Sequence, residues 1–107
     1  MVSEQEIIEV LKNVVDPEIG ADIVFLEMVR DIKIDGNKVE LTIDLTVPGC
    51  PLASYIANDA RERVLSLDGV DDVKVYLGAM TREKLQKVYE KLMRERERRM
   101  RELQNQS

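Results

Sequence analysis

Val39, Leu41, Ile43 and Leu45 alternate strictly with Glu40, Thr42, Asp44 and Thr46. Successive side chains of a strand point to opposite faces, so this run specifies a strand with one apolar and one polar face. Asp35-Gly36-Asn37-Lys38 stands before it. That is a hairpin turn in which Gly36 and Asn37 both tolerate positive φ, and Met28 to Ile34 reads as the partner strand. One apolar face of a sheet has to be covered. Ser3-Glu4-Gln5-Glu6 is a capping box, and Ile7, Ile8, Leu11, Val14 and Val15 recur behind it at helical spacing. This first helix is expected to stop at Asp16, because the residue before Pro17 is driven out of the α region. Residues 16–25 begin as a turn or loop. Leu52, Tyr55, Ile56, Ala60, Val64 and Leu67 form the stripe of a second helix that ends near Asp68-Gly69. Val73, Val75 and Leu77 alternate with Lys74 and Tyr76 as a third strand. Thr81 can cap a last helix, with Leu85, Val88, Tyr89 and Leu92 facing inward. The order α-β-β-α-β-α predicts an α+β fold: a two-layer α/β domain whose three-stranded sheet has helices packed on one face. The helical crossover should be right-handed if the strands it joins are parallel.

The chain has 107 residues, the size of one domain. Its single cysteine excludes a disulfide scaffold, and the absence of histidine removes the commonest general base and metal ligand. The longest unbroken apolar run, Ile23-Val24-Phe25-Leu26, is far short of the roughly 20 residues of a membrane span. A cytoplasmic protein with no membrane partner is therefore expected, and a reducing compartment suits the unpaired thiol. Charge is uneven: residues 1–81 carry a net −9 and residues 82–107 a net +4. The basic end interleaves Glu with Arg and has no aromatic residue beyond Tyr89, so it lacks the stacking platforms of single-strand binders, and no nucleic acid is expected. It reads as a solvated helix laced with i,i+4 pairs such as Glu90/Arg94, Glu95/Arg99 and Glu97/Arg101. The apolar stripe fades after Met93. Residues 1–93 are accordingly read as the domain and 94–107 as a charged C-terminal helical extension.

Reactive chemistry concentrates in two loops. In Val47-Pro48-Gly49-Cys50-Pro51-Leu52, Pro51 suits the first helical position, which would put Cys50 at the N-cap of the second helix. Free first-turn amides could then hydrogen-bond a thiolate. A free thiol has a pKa of about 8.5. Lowering it to about 7 needs about 2 kcal/mol of preferential stabilisation, since one unit is 1.36 kcal/mol. The helix dipole supplies only about 0.3–1 kcal/mol, so direct hydrogen bonds would also be required. The plainer reading is a small, inert, buried cysteine. Asp16 and Glu18 flank Pro17 and could act as an acid–base pair or bind a metal, but Asp before Pro commonly just makes a turn. Thr46 ends the alternating strand on its polar face, four residues before Cys50. It could line the same pocket as the thiol, or be an ordinary strand threonine. There is no Gly-rich phosphate loop, no triad histidine and no Cys-x-x-Cys. One cysteine cannot by itself supply the four thiolates that usually hold an iron–sulfur cluster.

Taken together, Val15-Asp16-Pro17-Glu18-Ile19-Gly20, the Asp35-Gly36 hairpin, Leu45-Thr46-Val47-Pro48-Gly49-Cys50-Pro51 and Gly69-Val70-x-x-Val73-x-Val75 closely resemble the iron–sulfur cluster assembly domain family. These are the MIP18-type domains, which include SufT-like maturation factors. The resemblance covers roughly residues 3–80. It implies that Asp16, Glu18, Thr46 and Cys50 lie near one another at a functional surface. It further implies an auxiliary role in assembling clusters or delivering them to client proteins, with no chemical turnover required. Cys50 would be the contact to metal, cluster or partner thiol. Asp16 and Glu18 would position it or complete the ligand set, and Thr46 would donate a hydrogen bond. The implied cofactor is a transient iron–sulfur cluster or iron; the implied partners are the iron–sulfur assembly machinery and client apoproteins. Two chains could bring two Cys50 thiols together, so a homodimer stays open. Gly78-Ala79-Met80 stands where many members have a tryptophan, and the cysteine-rich C-terminal segment of PaaD-like members is absent. Two competing readings are a protein-interaction adaptor that never touches metal and, with only carboxylates on offer as base, a thiol-dependent enzyme.

Overall fold

The computed structural model describes residues 2–47 and 51–105. The elements run α1 (Glu4–Leu11), β1 (Val15–Asp16), β2 (Ala21–Asp22), β3 (Val29–Asp35), β4 (Lys38–Leu45), α2 (Ala53–Leu65), β5 (Asp72–Ala79) and α3 (Arg82–Asn105). The alternating run is the central strand of a sheet ordered β3-β4-β5, antiparallel to β3 and parallel to β5. Central placement is why its pattern is the plainest in the chain: Val39, Leu41, Ile43 and Leu45 are all buried on one face. The hairpin closes between Asp35 and Lys38, and of its two turn residues only Gly36 takes a positive φ, +61°. A single positive φ at the first position is the mark of a Gly-X hairpin turn.

A parallel β4–β5 pair needs a long crossover, and α2 provides it. Its Ile56, Ala60 and Val64 join Ile7 and Leu11 of α1 and the apolar face of β4 in one core. The Ser3 capping box forms as expected: Ser3 Oγ accepts from the Glu6 amide, and Ser3 N donates to Glu6 Oε1. Thr81 Oγ1 accepts from the Lys84 amide at the start of α3.

Two boundaries depart from expectation. The first helix ends at Leu11 rather than at Asp16, with Lys12 as C-cap. Asn13 and Val14 donate to Val10 and Leu11 in tightened i−3 bonds, after which the chain is extended. Val14 is buried all the same, so its helical spacing reported a core contact rather than a helix; two adjacent β-branched residues favour extended backbone. The second helix begins at Ala53 with Leu52 as N-cap, in the bridge region at φ −89° and ψ 1°. Pro51 is therefore in the preceding turn, and the expected N-cap position for Cys50 is corrected to Leu52. Proline is tolerated in a first helical turn, but nothing obliges a helix to begin there. Cys50 itself, with Pro48 and Gly49, lies outside the described residues.

α3 runs unbroken to Asn105. At about 1.5 Å per residue its 24 residues span about 36 Å. Val88 and Leu92 are its buried residues, whereas Tyr89, expected to face inward, is exposed. Among the described residues no helix is long and apolar enough to cross a membrane.

Candidate functional site

Asp16 organises the first loop. Its backbone carbonyl accepts from the amides of Ile19 (3.2 Å) and Gly20 (2.7 Å), and its Oδ1 accepts from the Glu18 amide at 3.0 Å. β1 and β2 then pair over two rungs, Val15 with Asp22 and Asp16 with Ala21, a ladder the sequence pattern did not announce. The turn-making reading of Asp16 is thus realised, yet the residue is only 4% exposed and keeps a carboxylate in the wall of the loop. Glu18, on the turn itself, is exposed. Asp22 is structural: its Oδ2 accepts from the amides of Val24 and Phe25.

Thr46 follows the last residue of β4 and is buried, and Val47 next to it is 43% exposed. A relay of three backbone hydrogen bonds connects the start of the first loop to the end of β4. Ile23 N donates to Val14 O at 2.9 Å, Met28 N to Ile23 O at 2.9 Å, and Asp44 N to Met28 O at 2.7 Å. The segment leading into Asp16 is thereby tied, through the core residues Ile23 and Met28, to the end of β4 that carries Thr46. The structure joins Asp16 to Glu18 directly. The relay itself ends at Val14 and Asp44, two residues from Asp16 and two from Thr46. Among the described residues no group of three or more carboxylate or thiol side chains is gathered in metal-binding geometry; Cys50 is not among those residues.

Sequence reasoning missed two features of this region. The first is Asp44, which shares the polar face of β4 with Thr46 yet is buried. Its Oδ2 accepts from Arg30 Nε at 2.7 Å, while Oδ1 is buried without a hydrogen-bond partner. The hydrogen bond and charge of Asp44, with Asp31 adding to them, hold the Arg30 guanidinium above the ordinary arginine pKa. Asp44 pairs in register with Gly78, where a Cβ would collide with Asp44 Oδ1. Gly78 was legible only as a departure from a family pattern; its steric reason needed the β5 register. The second is the clamp made by α3. Lys91 Nζ donates to Phe25 O at 2.8 Å, sits 4.3 Å from the centre of the Phe25 ring and lies 3.8 Å from Glu27. Arg96 Nη2 donates to Ile19 O at 3.3 Å. A cleft of about 300 Å³ lies between this part of the helix and the Ile19–Phe25 segment. No sequence signal connects these cations to carbonyls more than sixty residues away.

A family described as "Iron-sulfur cluster assembly protein" matches residues 4–77, which hold both loops. The chain is 40% identical over 81 residues to an "Iron-sulfur cluster carrier protein" of Synechocystis sp., covering 76% of this chain but 23% of that one. It spans less than a quarter of the carrier proteins it matches. Over 75 residues it is 37% identical to a Bacillus subtilis "Fe-S protein maturation auxiliary factor", covering 69% of this chain and 74% of that one. Among solved structures, a conserved hypothetical protein from Thermotoga maritima superposes with a TM-score of 0.68 at 40% identity, over 78% of this chain and 85% of that chain.

Proposed function

Since this chain belongs to the iron–sulfur cluster assembly protein family, we propose that it is an auxiliary factor that helps assemble iron–sulfur clusters or deliver them to client apoproteins. Cys50 is the contact to cluster, iron or a partner's thiol in this reading. The observation that carries it is the family match across residues 4–77, which takes in Asp16-Pro17-Glu18 and Thr46 to Cys50 together. The relay from Val14 to Asp44 supports it by tying the segment before Asp16 to the end of β4 that precedes Thr46.

The chemistry asked of these residues is holding and release. A thiolate is the soft ligand that iron prefers, and a nearby carboxylate adds a hard oxygen donor or orients the thiol. Asp16 suits the positioning role: one carboxylate oxygen is fixed by the Glu18 amide, which locks its rotamer. Because α2 begins at Ala53, its free amides start two residues later than a helix opening at Pro51 would place them. Activation of the thiol then rests less on the helix dipole and more on direct hydrogen bonds, for which the buried Thr46 hydroxyl is a candidate.

The test is anaerobic reconstitution with iron and sulfide, comparing the parent protein with Cys50→Ser. Cluster absorbance that requires Cys50 is the expected result. A second reading, an adaptor that binds clients without touching metal, draws on the exposed Val15 and Val47, one beside each loop. Failure of both proteins to hold iron, with client binding retained in Cys50→Ser, would select it. Iodoacetamide reactivity against pH measures thiol activation separately; an apparent pKa of about 8.5 or above would mean no activation.

A further inference from the structure

The sheet has two edges, and they are not alike. β3 carries an extra residue between Arg30 and Lys33, with Asp31 at φ +53°, and its bulge and charges guard that edge. β5 runs in unbroken register with β4 from Asp72 to Ala79, without proline or positive φ. Met80 N donates to Leu45 O of β4 at 3.0 Å, while at the other end Asn37 O, just before β4, accepts from both Asp71 N at 2.8 Å and Asp72 N at 3.4 Å. Backbone groups alternate sides along a strand, so the even-numbered residues face β4 and the odd-numbered ones turn N–H and C=O outward. Arg61 Nε donates to Val73 O at 3.3 Å and covers the start of this edge. Val75, Leu77 and Ala79 follow, and among the described residues nothing pairs with their outward groups. Tyr76 and Leu77, one on each face of the strand, are 49% and 45% exposed.

The geometry points to a second copy of this chain as the occupant: two β5 edges pair antiparallel about a two-fold axis at Leu77. A two-fold interface must be self-complementary, and this one is. Leu77 pairs with its own copy, and Val75 with Ala79 of the partner subunit, so each open donor and acceptor finds a mate. On the polar face Tyr76, whose hydroxyl donates to Glu40 Oε1 of its own chain at 3.3 Å, lies opposite Gly78 of the partner subunit. Lys74 lies opposite Met80 of the partner subunit, and no like charges oppose one another. The result is a continuous six-stranded sheet. Because β4 runs parallel to β5, the two copies of Thr46 end up at opposite ends of the dimer. The pairing therefore does not depend on cluster binding.

Sedimentation equilibrium and hydrogen exchange on the full chain test this. The expected mass is twice 12.3 kDa, falling to that of one chain on dilution. The amides of Val75, Leu77 and Ala79 should exchange slowly in the dimer and fast in the monomer. Leu77→Lys sets two ammonium groups against each other on the axis and should give a monomer with an unchanged circular dichroism spectrum. If that variant fails to fold, Leu77→Pro replaces it, because it removes an outward N–H that β4 does not use. A parent protein that is monomeric at every concentration overturns the proposal. So does a dimer whose Val75, Leu77 and Ala79 amides stay fast, or one dissolved by Met93→Lys on the exposed face of α3 and not by the Leu77 variants.

Discussion

At Asp16, turn-making and charge are carried by the same carboxylate, and they can be separated. Asp16→Asn keeps an oxygen to accept from the Glu18 amide and should change stability by no more than about 0.5 kcal/mol. Asp16→Ala loses that bond and should cost about 1 kcal/mol in urea unfolding. If the charge serves the cluster, both variants lose cluster retention although only one loses stability. Asp44 poses a different problem, a buried carboxylate with one oxygen paired to a half-exposed Arg30 and the other unpaired. A methyl group at Gly78 would press on that unpaired oxygen. Gly78→Ala should therefore destabilise by about 1–3 kcal/mol, the range for overpacking. Most of that cost should vanish in an Asp44→Ala background, since contacting residues couple in a double-mutant cycle. Equal costs in both backgrounds would show that the strand, not the carboxylate, rejects the side chain.

Among the elements, α3 has the least expected role. Its spacing reads as a solvated, ion-paired helix, and two of its pairs form, Glu90 with Arg94 at 4.0 Å and Glu95 with Arg99 at 3.4 Å. Exposed pairs of this kind contribute little. The contacts that matter run from Lys91 and Arg96 to backbone carbonyls of the loop that begins at Asp16. A cation over an aromatic ring is worth about 0.5–1 kcal/mol when exposed, and the hydrogen bond to Phe25 O adds a similar amount. Lys91→Ala should therefore loosen that loop locally, without unfolding the domain. Native-state hydrogen exchange should speed up several-fold at Leu26 and Glu27, whose amides bond back to Asp22 and Val24, and stay unchanged at the Ile56 amide of α2. Uniform acceleration would mean that the clamp supports the whole fold.

For the whole molecule, the net charge of −9 over residues 1–81 and +4 over residues 82–107 makes an acidic body with a basic arm. Leu92 is the last buried residue of that arm. We propose on this ground that residues 1–93 form the folding unit and 94–107 an extension. Truncation after Met93 removes the Arg96 bond to Ile19 O but no buried side chain. It should leave a single cooperative urea transition with a loss of about 1 kcal/mol, one exposed charged hydrogen bond. A truncated chain that fails to unfold cooperatively would place the extension inside the unit.

The local signals fared according to how local their causes were. The alternating strand, its Gly36 turn and the Ser3 and Thr81 caps were all legible, because each is set by a few neighbouring residues. The end of α1 and the start of α2 were not, since Val14 and Pro51 fit both a helix and the extended or turn backbone they adopt, and packing made the choice. Burial of Asp44, the need for glycine at 78, the Lys91 clamp and the open edge of β5 belong to tertiary structure alone. Each depends on which segments the fold sets side by side, and sequence distance carries no record of that.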